Sequence, residues 1–404
     1  MALTNTSERY GGVTKTFHWL TALLILTLLP LGWYANQLPY ETDTELARKA
    51  WLFSLHKTLG VAAFFTAALR ILWALSQTKP GLLNADKPLE SRLAEVVHWL
   101  LYGALVIVPL SGWIGHAAAS GFAPIWWPLG QNLPLVPKSV EIEHLASAVH
   151  WVSTKILIAS LLLHIAGALK HHFVDNDATL RRMLPGTPGL GPLPRQDHPK
   201  SPLFGALGIW IAAMFVAAAL AGGDKHDTAE AAVALEDVAS DWQVEDGTIE
   251  ITVTQFGNAV SGTFADWTAA ITFDETITDG PLGDVTTTVS ISSLTLGSVT
   301  DQAMGADFFD AANHPTAVFT AQIKPGQDGF IAEGTLTIKD TTMPLTLPFS
   351  LNIADDKAEM DGSLTLNRLD YNVGTNMQDE SSLAFAVDVV VRLTATRAAA
   401  EPDS

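Results

Sequence analysis

The sequence predicts two unlike halves: an all-α membrane bundle of four helices with a fifth spanning helix, followed by an all-β antiparallel barrel. Three observations predict this class. Five apolar segments fill the first half, the hydrophobic period changes from 3.6 to 2 residues near Trp242, and acidic residues concentrate in the second half. Of the 404 residues, 48% are hydrophobic and only 16% are charged, which is typical of a partly membrane-embedded chain.

Charge divides the chain at the same place. Residues 1–223 hold 16 Lys and Arg against 12 Asp and Glu, a net charge of +4, whereas residues 224–404 hold 7 against 30, a net charge of −23. The acidic half indicates a soluble domain and argues against binding to nucleic acid or anionic lipid. The chain has no cysteine, which excludes disulfides, Cys-ligated iron-sulfur clusters and covalently attached c-type haem.

Five segments are apolar enough to cross a bilayer, because a helix needs about 20 residues to span roughly 30 Å of hydrocarbon. We expect these spans at Phe17–Tyr34, Trp51–Leu75, Ala94–Gly115, Val149–Leu169 and Pro202–Ala221. The first span lacks a small-residue cleavage site, so we expect it to be retained and not removed as a signal peptide. Lys and Arg are more frequent before the first span and after the second and fourth. This bias predicts a cytoplasmic N-terminus and places residues 224–404 in the periplasm of a Gram-negative host.

Four histidines, His18, His56, His150 and His164, lie inside or at the edges of these spans. An ionisable side chain at membrane depth is costly, so a functional role is the default interpretation. His150 and His164 are fourteen residues apart on one predicted helix. Fourteen steps of 100° fall about 40° short of four full turns, so both imidazoles share one helix face, roughly 21 Å apart along the axis.

The predicted orientation pairs these histidines by depth. His18 and His164 fall near the cytoplasmic surface and form the inner pair; His56 and His150 fall near the opposite surface and form the outer pair. Imidazole is the usual axial ligand of b-type haem, so each pair predicts one bis-histidine haem b. Zinc fits less well, because zinc sites usually need three or four converging ligands. His98 is an alternative to His18 as a ligand, and an interfacial polar residue is the alternative reading of any single histidine.

The spans contain the phrases FHWL, LHKTLG, VHWLLYGALVIVPLSGW and HWVSTKILIASLLLHIAGALKHHFVDNDATLRRMLPG. Over about residues 8–186, these phrases resemble the bacterial di-haem cytochrome b561 family, which is related to the b-type cytochrome subunits of hydrogenases. The resemblance implies a four-helix haem bundle in which the four histidines hold two b haems. It also implies electron exchange with membrane quinone and, for some members, oxidation of superoxide at the periplasmic side. Lys49, Lys57 and Lys138 are candidates for steering such an anion, with ordinary loop charges as the alternative.

From Trp242 onward, apolar residues alternate with polar ones, as in Ile249, Ile251 and Val253 and in the runs 345–351 and 385–391. Thr-rich segments separated by turn residues predict an antiparallel sandwich or barrel. A closed barrel of about eight strands can hold one elongated apolar ligand, and a filled core is the alternative.

The second half contains the phrases GTFADWTAAITFD, DFFDAANHPTAVFTA, EGTLTIKDTTMPLTLPFSL and GSLTLNRLDYNVG. Over about residues 240–396, these phrases resemble the YceI-like family of lipocalin-like polyisoprenoid-binding proteins. The resemblance implies a lipocalin-like barrel whose interior accepts an isoprenoid tail, such as that of a quinone. Candidate lining residues are aromatic, with plain core packing as the alternative: Phe264, Trp267, Phe308, Phe309 and Phe319.

These patterns predict a transmembrane di-haem domain at 1–186, a cytoplasmic linker with the fifth helix at 187–223, a linker at 224–241, a periplasmic barrel at 242–396 and a tail at 397–404. The favoured function is electron transfer across a bacterial inner membrane through two haems b, in exchange with the quinone pool. Superoxide is a further candidate substrate, and the barrel is expected to bind quinone or another isoprenoid. Two alternatives remain: an isoprenoid-binding envelope-stress protein with a membrane anchor, and a cytochrome subunit of a hydrogenase or dehydrogenase complex.

Overall fold

The computed structural model describes residues 2–81, 83, 87–119, 123–126, 132–186, 200–223, 235, 238–278, 280–327 and 329–398. The chain forms two compact units, which are described separately. One unit comprises Met1–Leu38, Trp51–Ala119 and Pro124–Lys225, and the other comprises Pro39–Ala50, Ser120–Ala123 and His226–Ser404. Most of the predicted linker and tail residues, at 187–199, 224–241 and 397–404, lie outside the described residues.

Five long helices make up the first half of the chain: α1 Gly12–Gln37, α2 Asp43–Leu75, α3 Pro88–Ala118, α4 Val140–Phe173 and α5 Ser201–Gly223. All five are long and apolar enough to cross a membrane, which confirms the predicted membrane helices.

Each helix extends beyond its predicted span. The predicted span covers only the apolar residues that cross the hydrocarbon, whereas a helix continues until its backbone is capped. Pro88 occupies the first turn of α3, where its fixed φ is favourable. The Ser139 hydroxyl accepts the Ile142 N–H at the start of α4.

Helix packing in the bundle is uneven. Helices α3, α4 and α5 pack closely against one another, whereas α1 and α2 make few close backbone approaches to any helix in the described part of the chain. Glycine permits the close contact of α3 with α5: a Cβ built on Gly103 would lie 2.4 Å from Nε1 of Trp210. The wider spacing around α1 and α2 therefore leaves side chains, or a planar group, to fill the gap.

The second half forms one curled antiparallel sheet, which confirms the predicted all-β class. Its strands are β1 Trp242–Gln255, β2 Asn258–Phe264, β3 Trp267–Phe273, β4 Gly283–Ser290, β5 Leu294–Thr295, β6 Thr316–Pro325, β7 Phe330–Ile338, β8 Thr341–Ala354, β9 Lys357–Asn367 and β10 Leu383–Arg397, with a short helix α6 at Thr300–Met304. The described residues contain ten strands in this sheet, and β5 has only two residues.

The strand order is β3-β4-β6-β7-β8-β9-β10-β1-β2-β5. The chain just before β1 also contacts the edge strand β3. The Asp241 N–H donates to the Ile271 carbonyl at 3.0 Å, and the Ile271 N–H donates to the Ser240 hydroxyl at 2.8 Å. These bonds curl the sheet around a common interior, onto which alternate side chains of each strand point.

We expect G103A to destabilise the contact of α3 with α5. The added methyl group overlaps the Trp210 indole, and overpacking of this kind costs about 1 to 3 kcal/mol. G208A is the matched control, because a Cβ there meets nothing within 4 Å and alanine is the better helix former by about 1 kcal/mol. Thermal unfolding in detergent, followed by circular dichroism, should give a lower midpoint for G103A alone. Equal midpoints for the two variants would contradict this packing.

Candidate functional site

The four histidines of the membrane helices lie as two pairs. In the inner pair, the ring centroids of His18 on α1 and His164 on α4 are 6.1 Å apart, with 55° between the ring planes. In the outer pair, His56 on α2 and His150 on α4 are 6.5 Å apart, with 80° between the planes. The structure thus brings together the partners that depth alone had matched.

The separation within each pair has a chemical meaning. A metal–imidazole nitrogen bond is about 2.0 Å long, and the ring centre lies about 1.2 Å beyond the nitrogen. Two imidazoles that bind one ion from opposite sides therefore have centroids about 6.4 Å apart. The observed 6.1 Å and 6.5 Å both agree with this distance. Each pair has the separation that a single iron ion between its rings requires.

Helix α3 orients the His150 ring. Nδ1 of His150 lies 2.9 Å from the Val108 carbonyl oxygen, which can only accept a hydrogen bond. Nδ1 must therefore carry the proton, so Nε2 keeps its lone pair for a ligand. Gly112, one turn along α3, leaves room for the ring, since a Cβ there would lie 3.0 Å from Nδ1. The carbonyl and the glycine together hold the imidazole in a ligand-ready orientation.

Helix α1 leaves room for the other outer imidazole. A Cβ on Gly32 would lie 2.6 Å from Cε1 of His56. The Leu28 backbone lies within reach of the ring, but Nδ1 of His56 is buried and has no partner of good hydrogen-bond geometry. A buried unpaired ring nitrogen is costly and needs an explanation. A metal bound through Nδ1 would remove this cost, whereas a metal bound through Nε2 would require Nδ1 to donate to the nearby Leu28 backbone.

His98 on α3 joins the inner pair without matching its geometry. Its ring centroid lies 5.1 Å from that of His164, with the rings edge to face at 72°. This distance is more than an ångström short of the separation expected for two imidazoles on opposite sides of one ion. His18 therefore fits as the partner of His164, and His98 fits as a packing neighbour.

Sequence reasoning missed Arg70, which lies beside the inner pair. Its Nη2 is 3.4 Å from Nδ1 of His18, and its guanidinium lies 5.7 Å from the centre of the Tyr102 ring. The available signal was spacing: Arg70 follows His56 by fourteen residues on α2, just as His164 follows His150 on α4.

A separate polar cluster lies at the ends of α3 and α4. Ligand atoms of Glu90, His171 and Asp175 lie within 4.8 Å of one another. Lys170 donates to Glu90 and Asp175 at 2.9 Å, and Lys87 donates to Asp175 at 3.0 Å. These bonds from Lys170 and Lys87 hold the pKa of Asp175 down to about 2. The lysines neutralise the carboxylates, so the cluster is an ion-pair network and not a cation site.

The three lysines proposed to steer an anion all have partners. Nζ of Lys57 lies 3.2 Å from Nδ1 of His116. Nζ of Lys49 lies 4.5 Å from the centre of the Tyr40 ring, and Lys138 donates to a backbone carbonyl. Anion steering by these lysines stays a prediction.

The curled sheet encloses an apolar cavity of about 190 Å³. Two of the five predicted aromatic residues, Trp267 and Phe319, line it. Phe264 and Phe309 pack edge to face at 6.5 Å in a core cluster near α6, which shares Ile249 and Trp267 with the cavity wall. Phe308 packs in another cluster, with Met377 and Leu383 among others. These three phenylalanines are not among the residues that line the cavity.

Most of the cavity wall consists of alternate strand residues. These residues follow the alternation of apolar and polar residues that is visible in the sequence. Strand β8 alone contributes Leu345, Leu347, Phe349 and Leu351. Among the described lining residues, Thr287, Trp242 and Trp267 carry N–H or O–H groups, and the Trp242 indole N–H already donates to the Phe273 carbonyl. The cavity can therefore select an apolar chain by shape but offers little to a polar head.

Comparison with known families assigns both units. Residues 9–186 match the family described as prokaryotic cytochrome b561, and residues 240–395 match the YceI-like domain. The chain joins a cytochrome b561 domain to a YceI-like domain. The first domain implies b-type haem, and with five membrane-capable helices it indicates an integral membrane protein.

Relatives match the two domains separately. The cytochrome b561 domain is 29% identical over 185 residues to cytochrome b561 homolog 2 of Escherichia coli K12, covering 46% of this chain and 95% of that protein. It is 26% identical over 179 residues to the probable superoxide oxidase CybB of Yersinia pestis, covering 44% and 97%.

Among solved structures, BcnA of Burkholderia cenocepacia is 29% identical to the YceI-like part, covers 37% of this chain and 96% of that chain, and has a TM-score of 0.35. The YceI protein of Campylobacter jejuni is 18% identical, covers 43% and 96%, and has a TM-score of 0.31.

We expect A332F to fill the cavity of the YceI-like domain and T335F to leave it open. Ala332 on β7 is buried and lines the cavity, whereas Thr335 on the same strand is exposed and does not. The intact chain would be photolabelled with a diazirine-bearing isoprenoid alcohol, and labelled peptides would be mapped by mass spectrometry. Labelling of β6 to β8 should fall about tenfold in A332F, equivalent to about 1.4 kcal/mol, and stay unchanged in T335F. Equal labelling in both variants would place the ligand elsewhere.

Proposed function

We propose that the cytochrome b561 domain carries electrons across a bacterial inner membrane through two b-type haems. His18 and His164 hold one haem, and His56 and His150 hold the other. The observation that carries this proposal is the separation of the paired rings, 6.1 Å and 6.5 Å. When bound, haem iron supplies reversible one-electron transfer at each level.

Three features of the chain support haem at these positions. The His150 ring is oriented with Nε2 free, and the His56 ring has an unpaired nitrogen. Glycines 32 and 112 leave space beside both outer rings. Helices α1 and α2 stand away from the tightly packed α3, α4 and α5, which suits a planar group between them. A mere membrane anchor would require none of these features.

We further propose that the domain exchanges electrons with membrane quinone and accepts them from superoxide. The second substrate comes from the relative named probable superoxide oxidase, which matches over 97% of its length. The overall reaction balances: two superoxide anions give two molecules of oxygen, and the two electrons released, with two protons, reduce one quinone to quinol. In the proposed topology the N-terminus is cytoplasmic, and residues 242–396 are periplasmic.

The YceI-like domain is proposed to bind quinone or another isoprenoid. Its support is the almost wholly apolar lining of the cavity, which matches an isoprenoid tail. Because one chain carries both domains, a bound tail stays near the membrane half at an effective concentration of about millimolar for short linkers. The tether therefore favours exchange with the same membrane in which the haems lie.

Haem counting tests the ligand assignment. We expect two haems b per chain in the purified protein and one in either H150A or H164A, because each variant removes a ligand from a different pair. H98A is the matched control, since the His98 and His164 rings are too close together to lie on opposite sides of one ion, and it should keep both haems. The pyridine haemochrome assay gives the count. One haem in the unmodified chain, or two in H150A, would refute the assignment.

Electron transfer can be tested on the full chain in liposomes that contain ubiquinone. Superoxide supplied outside should generate quinol, and H150A should lower the rate at least tenfold because it lacks the outer haem. Quinol is quantified by chromatography, and superoxide dismutase added outside is the control that should abolish the signal. Reduction by superoxide at an equal rate in H150A would exclude the outer pair from the electron path. Reduction only in the presence of a hydrogenase or dehydrogenase would favour a subunit role.

A further inference from the structure

Two arginines near the inner pair, Arg70 and Arg182, form no ion pair with a carboxylate of the described residues. Arg70 lies in a membrane helix, and Arg182 is only 5% exposed. A buried or membrane-embedded cation without a counter-charge is costly, so each points to an anion that the chain itself does not supply.

Arg182 shows the missing partner most clearly. Its Nη1 donates to the Gly81 carbonyl at 2.8 Å, but its Nε and Nη2 atoms are buried and have no hydrogen-bond partner. Nε and Nη2 can form one edge of a planar guanidinium, the fork that binds both oxygens of a carboxylate. Burial lowers the pKa of Arg182, and the nearby Tyr10 and Asp177 only partly offset this effect. The site is therefore shaped for a carboxylate or phosphate.

Tyr10 connects the two arginines. The guanidinium of Arg182 lies 5.5 Å from the centre of the Tyr10 ring. Burial raises the pKa of Tyr10, while both Arg182 and Arg70 act to lower it, so both cations lie close enough to influence the same phenol. The chain around Arg182 also contacts the start of α1: the Trp19 indole N–H donates to the Met183 carbonyl at 2.8 Å. Trp19 is the chain neighbour of His18, so the segment that carries Arg182 lies against the start of α1, while Arg70 contacts His18 itself.

Arg70 needs a new acceptor once His18 binds a metal through Nε2. Nδ1 of that imidazole then carries a proton and donates, whereas Arg70 has only donors to offer at their present 3.4 Å contact. Two donors cannot satisfy one another. The fourteen-residue spacing on α2 keeps Arg70 at the level of the inner pair while His56 serves the outer pair. Haem b carries two carboxylates, as propionate groups on one edge of the porphyrin.

We propose that Arg70 and Arg182 bind the two propionates of the haem held by the inner pair. This inference rests on the proposed function, because it requires haem between His18 and His164. The arginines act as positioning residues: they fix the rotation of the porphyrin about its iron–histidine axis. They also raise the potential of this haem, because a nearby cation disfavours the oxidised state, which has one more positive charge.

The test is a redox titration of the purified full chain. In R182Q, one of the two haems should lose about tenfold in its reduced-to-oxidised ratio at a fixed ambient potential, which corresponds to about 59 mV for one electron. The other haem should not change. R181Q is the matched control: it removes the same charge from the adjacent, exposed arginine and should shift neither potential. R70Q should shift the same haem as R182Q.

Additional variants keep the proposal falsifiable. R182K preserves the charge but not the fork, so its shift should be smaller than that of R182Q, and it is the fallback if R182Q does not fold. Combining R182Q with H150A leaves only the inner haem and identifies which potential has moved. Two haems with unshifted potentials in R182Q and R182K would overturn the inference alone. Loss of a co-purifying anionic phospholipid from R182Q, with both potentials unchanged, would also overturn it and assign the fork to a lipid phosphate. Fewer than two haems in the unmodified chain would instead overturn the proposed function.

Discussion

The cost of placing polar groups among apolar helices governs the organisation of the membrane half. An imidazole or guanidinium there must find a hydrogen bond, a counter-charge or a metal. At the outer level, α3 supplies a carbonyl to His150, and glycines on α1 and α3 clear space around the rings. At the inner level, no carboxylate of the described residues lies within ion-pair distance of Arg70 or Arg182, and Nε and Nη2 of Arg182 have no hydrogen-bond partner. Several of the polar groups that remain unsatisfied lie at the positions where the proposed haems would bind.

The YceI-like domain avoids the same cost by keeping polar groups out of its interior. Its interior contains almost no polar atom, and its Thr-rich outer faces carry the hydrogen-bonding side chains. Where an indole enters the wall, as at Trp242, a backbone carbonyl satisfies it. One half of the chain thus concentrates a few costly polar groups in an apolar setting, and the other half excludes them from its interior. Each half is suited to a different kind of ligand.

Much of this organisation was predictable from the sequence, through the expected depth of residues in the membrane and the spacing of apolar residues along the chain. Five apolar runs gave five helices, and charge bias matched four histidines into two pairs without any knowledge of contacts. On α2, the same spacing of fourteen residues from His56 would have identified Arg70. A single arginine near the end of a span, however, is usually interpreted as an ordinary interfacial charge. In the barrel, the aromatic residues chosen by size included two that line the cavity, while the alternating aliphatic series on β8 described its wall better.

Other features depend on contacts that no local pattern carries. Arg182 is buried by Tyr10 and Gly81, which lie about a hundred residues or more away along the chain. Phe264 on β2 and Phe309 in the turn after α6 pack edge to face in one cluster with Ala303 and Met304 of α6, and neither lines the cavity. The too-short distance between His98 and His164 likewise emerges only when α3 and α4 pack.

The apolar cavity has a consequence for the direction of ligand exchange. A hydrocarbon tail in a bilayer core is already removed from water, and the surrounding lipid is as apolar as a wall of Leu and Val. Moving that tail into the cavity therefore gains almost no hydrophobic free energy, whatever the size of the buried area. Retention must come from close packing against the rigid strands, set against the freedom that the tail loses. Such a cavity is poised for reversible partition with a membrane, and only in water does it become a strong trap.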